Sequence, residues 1–345
     1  MIYERKDCCA NDDFEVIRAA VFCIDQNIWS TGLKRGVRSL EEKIFRDTRT
    51  QIGILKSRGL IIKNKRRAKQ IIQKVNYYNL INGYKEPFLQ SNIPYEKYLT
   101  GTRLEEVYAL YEFDRKLRII TLEYILEIEK NVKAQVAYCF SKKHGHKNYL
   151  KMQNFEISGM RKYERVCDLL SNLYRKITLN INKDLSISHY VSGINYIPLW
   201  VLVNTMSMGD ISKFYSNMLQ SERDEVARRI KWGVREHQLA SCLFFLSSIR
   251  NRCAHDERLY SYLSYVSLCD NRYFSYYHIH MNSNTYFSVM IALKLLLPKQ
   301  RYFSFHSQIE NLFDDLSQEL SSISINKIRN AMGMPGNWRR LKTLE

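Results

Sequence analysis

Residues 250–260 read Arg-Asn-Arg-Cys-Ala-His-Asp-Glu-Arg-Leu-Tyr and follow an apolar run. Arg250 brings a permanent, fork-shaped charge suited to a phosphate. His255 can take or give a proton near neutral pH. Asn251 stands four residues before His255, so a helix puts both on one face, where the amide can orient the imidazole. These are the parts needed to cut RNA without a metal. A base removes the proton of a ribose 2′-OH and that oxygen attacks the adjacent phosphorus. A cation steadies the added charge, and an acid protonates the leaving 5′-oxygen. The product ends in a 2′,3′-cyclic phosphate, and DNA, which has no 2′-OH, is excluded by this route.

Geometry sets conditions on that reading. Side chains five positions apart on a straight helix point roughly 140° apart. Arg250 and His255 therefore need a helix that bends or ends, or an arginine that reaches round. One histidine also fills only one of the acid and base roles, and a two-fold dimer that faces two copies of the motif supplies the second. The bare pattern is weak: similar spacings occur at Arg272–His278 and Arg301–His306, where a packed aromatic segment with incidental charges is the reading. For 250–255 the plain alternative is a surface ion cluster with Asp256 and Glu257.

The elements that must position these residues read as helices. Leu239, Leu243, Leu246, Ile249 and Cys253 share one helical face ahead of the motif. Leu122, Ile125, Ile128, Val132, Val136 and Cys139 recur at three or four, a buried stripe in one or two long helices over 104–140. Glu123, Glu127, Glu129, Lys130 and Lys133 fall on the other sides and read as a salt-bridged surface. Thr48 can cap a helix that Gly59 stops. The next helix carries Ala68, Ile71, Ile72 and Val75 on its apolar side. Lys56, Arg58, Lys63, Lys65, Arg66, Arg67 and Lys69 around it are candidate RNA-backbone contacts, with a solvated basic face as the alternative. Tyr77, Tyr78 and Tyr84 follow. Further helices are expected over 158–179, 199–206 (ended by Gly209), 222–231, 285–297 and 307–323, with a loop up to Pro198 and a strand-like aromatic piece at 272–280. The expected organisation is a variable extension over 1–45, a basic helical region over 46–100, a helical domain over 101–265 that carries the motif, and a helical C-terminal region over 266–345.

Composition agrees with a helical globule. The 345 residues are 45% hydrophobic and 26% charged, with 13 Gly and only 5 Pro, too few breakers for an all-β fold. Lys plus Arg number 53 against 35 Asp plus Glu, a net charge of +18 that a polyanion relieves. The eight cysteines form no Cys-x-x-Cys or zinc spacing, so no metal site and no cofactor is expected. With no signal peptide and no apolar run long enough for a bilayer, the expected location is a reduced cytoplasm, away from membranes.

The motif resembles the Arg-Asn-x-x-Ala-His-x-x-Arg-Leu-Tyr signature of Abi-like (abortive infection) proteins of the AbiD/AbiF type, which belong to the HEPN superfamily. Leu55-Lys56-Ser57-Arg58-Gly59-Leu60, Asn76-Tyr77-Tyr78, Tyr111 to Arg118, Pro198-Leu199-Trp200-Val201, Ser212-Lys213-Phe214-Tyr215 and Gly333-Met334-Pro335 with Trp338 are similar to further stretches of that family, in its order. The resemblance covers roughly 46–342. It implies an all-α, HEPN-like bundle with an N-terminal helical region, to which the aromatic piece at 272–280 adds the expectation of short strands in a small C-terminal tail. It implies a metal-independent endoribonuclease toxin in phage defence. Arg250, Asn251 and His255 are then catalytic, with Arg258 and Tyr260 in support, and the expected partners are RNA substrate, a structured non-coding RNA and a second copy of the chain. The alternatives are a non-catalytic RNA-holding scaffold of the same fold, a DNA-binding helix-turn-helix over 46–84, and a toxin silenced by nucleotide transfer onto a tyrosine such as Tyr260.

Overall fold

A computed structural model describes residues 45–91, 94–279 and 283–344. The extension expected over 1–45 lies, but for its last residue, outside them. Helix α1 (Thr48–Ser57) begins at the expected cap residue Thr48, and the cap itself lies one residue earlier: Asp47 accepts the Thr50 N–H at 2.8 Å. Gly59, at φ +90, follows the helix end as expected. Asn64 caps α2 (Lys65–Val75) by accepting the Arg67 N–H at 2.9 Å. Between them, Ile61 donates to Thr102 O and accepts from Leu104 N, so the connection 58–64 is stitched to the start of the next long helix. That connection is longer than the three- to four-residue turn of a DNA-binding helix-turn-helix, and it is pinned to a different element.

The stripe read at 122–139 belongs to one uninterrupted helix, α3 (Leu104–His144), of 41 residues and about 60 Å. Ile125, Ile128, Val132, Val136 and Cys139 are buried, and Leu122 is half-buried. Glu106 fixes the helix start. It accepts from Arg103 N and also from the backbone N–H and hydroxyl of Ser321 and Ser322. These bonds hold its carboxyl below the usual range although burial opposes them. Gly145, at φ +83, ends the helix.

Helices α4 (Met160–Asn180) and α5 (Leu185–Ile194) follow and pack on each other, and the single turn α6 (Leu199–Leu202), α7 (Met208–Asn217), α8 (Gln220–Ile230) and α9 (Glu236–Ala254) pack on α3, with α4 resting on α7. They are followed by α10 (Arg272–Tyr277), α11 (Tyr286–Leu296), α12 (Lys299–Glu319) and α13 (Ile325–Ala331). The broadest faces are α12 on α3, α9 on α7, and α8 and α9 on α3. Residues Asp47–Glu345 form one compact unit, and no strand occurs among the described residues.

Three local expectations are corrected. The aromatic piece at 272–280 is helical over Arg272–Tyr277, not strand-like. Asn271 caps it through Tyr273 N and Phe274 N, and Tyr273, Phe274 and Tyr277 bury at helical spacing, which outweighs aromatic β-propensity. The loop expected before Pro198 contains α5, capped by Asp184. Ile187 alone of its residues is fully buried, so its apolar period is faint. Gly209 does not end the 199–206 helix but sits in the first turn of α7. There Ser207 and Asp210 form a reciprocal capping box, and a Ser-x-x-Asp start overrides the glycine.

Candidate active site

Helix α9 presents its apolar face inward through Leu239, Leu243, Leu246, Ile249 and Cys253, all buried. It runs antiparallel to α3, so Arg250 meets Glu129 and Asp256 meets Arg118, eleven positions earlier on α3. The helix ends at the motif. His255 is its C-cap residue and Asp256 turns left-handed at φ +57, while Glu257 N–H reaches back to Arg252 O at 3.1 Å. A left-handed aspartate is strained relative to glycine, and Arg118 compensates by gripping the Asp256 carboxylate.

Beneath this turn lies a buried post. Asp114, fully buried on α3, accepts from the backbone N–H of Leu259 at 3.1 Å and of Tyr260 at 2.7 Å. It also accepts from the Tyr84 hydroxyl at 2.8 Å and from Arg118 at 2.6 Å. Burial pushes its carboxyl above the usual range, against the pull of Arg118 and the other donors. Tyr84 stacks on Tyr260 with ring centroids 6.0 Å apart, and Arg258 donates to Gly83 O at 2.7 Å. Arg258 and Tyr260 thus tie the motif to the 83–84 segment. Burial pushes the Tyr260 phenol up to about 12, and the ring is 1% exposed, so in this state its hydroxyl is closed to nucleotide transfer.

The three motif residues differ in setting. His255 is exposed at the helix end, and its imidazole makes no hydrogen bond or ion pair among the described residues. Asn251 is exposed too. Its backbone oxygen accepts the His255 N–H at 3.0 Å, but its amide does not reach the ring. Arg250 is half-buried, with Nε 3.5 Å from Glu129 Oε2, an ion pair too long for a good hydrogen bond. Its outer nitrogens carry no hydrogen bond among the described residues, which leaves two donor nitrogens for phosphate oxygens.

Glu129 is the residue the sequence reading misplaced. It was expected on the salt-bridged surface but is 5% exposed, bonded to Lys133 at 2.7 Å and set against Arg250. The signal was there: it stands four residues after Ile125 and three before Val132, on their face. Glu123 and Glu127 do lie in a surface ion cluster, with Arg301. Of the other two Arg/His spacings, Arg301 serves that cluster, His306 is fully buried, and Arg272 lies against Tyr273.

A basic face lies on α1 and α2. Lys56, Lys63, Lys65, Arg66, Arg67 and Lys69 are exposed, whereas Arg58 is half-buried and paired with Glu96, which also holds Lys85. Tyr78, past the C-terminal end of α2, is exposed and Tyr84 is not.

The family model for Abi-like proteins matches residues 70–261, which include α3, the motif and its buried post. The chain belongs to the Abi-like family. No curated protein and no solved structure matches it. In this Abi-like chain the matched region runs from α2 through Tyr260, so Asp114, Arg118, Glu129 and Arg250 all fall inside it. Membership points to abortive infection. Among the described residues no helix is long and apolar enough to cross a membrane.

Proposed function

We propose that this Abi-like chain is a metal-independent, HEPN-type endoribonuclease that acts as a toxin in the cytoplasm during abortive infection. The observation that carries the reading is the contrast at the end of α9. An unencumbered imidazole at His255 stands on a turn anchored by a buried aspartate, one and a half helical turns from an arginine with spare donors. In the reaction, His255 removes the ribose 2′-OH proton or donates one to the leaving 5′-oxygen. Arg250 faces the phosphate, and Asn251 turns its amide to the ring once RNA is bound. The 2′-oxygen bonds to phosphorus, the bond to the 5′-oxygen breaks, and the ends are a 2′,3′-cyclic phosphate and a 5′-hydroxyl. A homodimer supplies the second imidazole.

Exposed cations at the start of α2 favour an RNA partner. Lys65, Arg66 and Arg67 stand in a first turn with no acidic residue, where the helix dipole already repels cations. An anion there relieves both, and a structured non-coding RNA that restrains the toxin fits this face.

Cleavage of single-stranded RNA in EDTA tests the reading. Protein freed of nucleic acid is expected to leave 2′,3′-cyclic phosphate ends and to sediment at twice the 41.1 kDa chain mass. His255→Ala is expected to slow cutting by about 10²- to 10⁴-fold with RNA affinity retained. Tight binding with no cutting in any such preparation moves the assignment to the RNA-holding scaffold.

A further inference from the structure

A groove of about 880 Å³ runs along α3 and is closed on its other side by α6 and the turn after it. Its floor includes Glu129, the partner of Arg250, so the groove begins where the candidate catalytic arginine is held. It continues past Lys130 and Lys133 to Lys142 and His146, and from 129 to 142 the helix alone spans about 20 Å. Trp200 lies in the wall with half its surface exposed. The ring of His146 is 5.8 Å from Trp200 and 5.2 Å from Tyr196, so three flat side chains stand in series at the far end. Lys130 is exposed and has no ion-pair partner among the described residues. The one carboxylate on the floor is already met by Lys133 and Arg250. The segment Pro198-Leu199-Trp200-Val201 is one of the stretches that resemble the family, yet the cleavage step gives Trp200 no task.

We infer that this groove is the path of single-stranded RNA beside the scissile bond, with a base stacked on Trp200 and a backbone phosphate on Lys130, while Lys142 at the far end is already paired with Glu225 at 3.2 Å. The inference rests on the ribonuclease reading and names where its substrate lies. Unpaired RNA needs what the groove combines: aromatic faces that accept any base, and a positive lining that tracks the phosphates. A protein partner fits less well, because lysines are depleted in the cores of protein interfaces. Duplex RNA is recognised across a wide minor groove and offers no free base to an indole recessed in a wall.

Fluorescence anisotropy with a fluorescein-labelled uridine dodecamer tests the site in the full chain carrying His255→Ala, so that binding is read without turnover. Trp200→Ala is expected to weaken binding five- to twentyfold, with Trp200→Phe recovering most of the loss. Lys130→Glu, a change at an exposed position, is expected to weaken it by a similar factor and needs no repacking if Trp200→Ala disturbs the fold. A 4-thiouridine version of the probe should crosslink to the peptide that contains Trp200. Affinities within twofold of the parent in both variants, with no crosslink in the groove, overturn the inference. So does a result in which the same variants leave RNA binding intact and dissolve a dimer in sedimentation. The two readings fail separately. Groove binding by a wild-type chain that never cuts keeps the RNA path and removes the catalysis. Normal cutting by Trp200→Ala and Lys130→Glu does the reverse.

Discussion

His255 and Asp114 occupy opposite ends of the design at the scale of single residues. The imidazole is free because it has left the helix, and the carboxylate is fully committed because it holds that exit in place. Asp114, fully buried, carries four groups of donors, and Arg118, 3% exposed, depends on it. Removing one member of a buried pair strands the other, which typically costs about 3–5 kcal/mol. Asp114→Asn keeps the shape and removes the charge, so urea unfolding should report a loss of that order, together with lost RNA cleavage. Full stability in this variant would show that the post does not support the motif. Glu129 was misread at this scale. A glutamate four residues before a lysine looks like an exposed pair, and burial was decided by α9 crossing over it.

At the scale of elements, α12 carries a titratable group that gives it a pH dependence. His306 is fully buried, stacked on Trp338 with centroids 5.2 Å apart, with Nδ1 3.5 Å from Glu310 Oε2. The other charges facing it are Lys342 and Arg339, both paired with Glu310. Burial lowers the His306 pKa despite Glu310. The unfolded chain then binds more protons than the folded one around the ordinary histidine pKa. This contribution to stability is present above that range and is lost as the pH falls through it. Glu310, held below its usual range chiefly by Lys342 against burial, loses its contribution only at lower pH. Unfolding free energies measured between pH 7.5 and 5.5 should decline in the wild type and decline less in His306→Phe. Equal slopes would place the effect elsewhere. The helices themselves were legible where an apolar period was clear, as in α3 and α9, or where the apolar run was nearly unbroken, as in α11. They were not legible in α5, which hides one residue, or in α10, where aromatic composition spoke for a strand and the Asn271 cap decided otherwise.

For the whole molecule, the charge of +18 sets the expected solution behaviour. Each phosphate neutralised by a cation releases counterions, so log affinity for RNA falls linearly with log salt, with a slope near −0.7 per contact for single strands. Replacing Lys65, Arg66 and Arg67 by glutamine should shallow that slope by about 2, and filter binding at several salt concentrations measures it. An unchanged slope would return these residues to a solvated face. The same substitutions should leave unfolding nearly unchanged, because all three side chains are exposed.

The amino-acid sequence established that the chain is helical, basic and Abi-like, and that Arg250, Asn251 and His255 stand together in one motif. Helical period, charge balance and a contiguous motif are local or additive properties, so a linear text preserves them. Tertiary structure alone decided that Glu129 lies against Arg250, that Asp114 holds Leu259 and Tyr260 from about 145 positions away, and that Trp200 shares a groove with Lys130. Burial and partnership depend on which helices cross and at what height, and that information resides in the packing of distant segments.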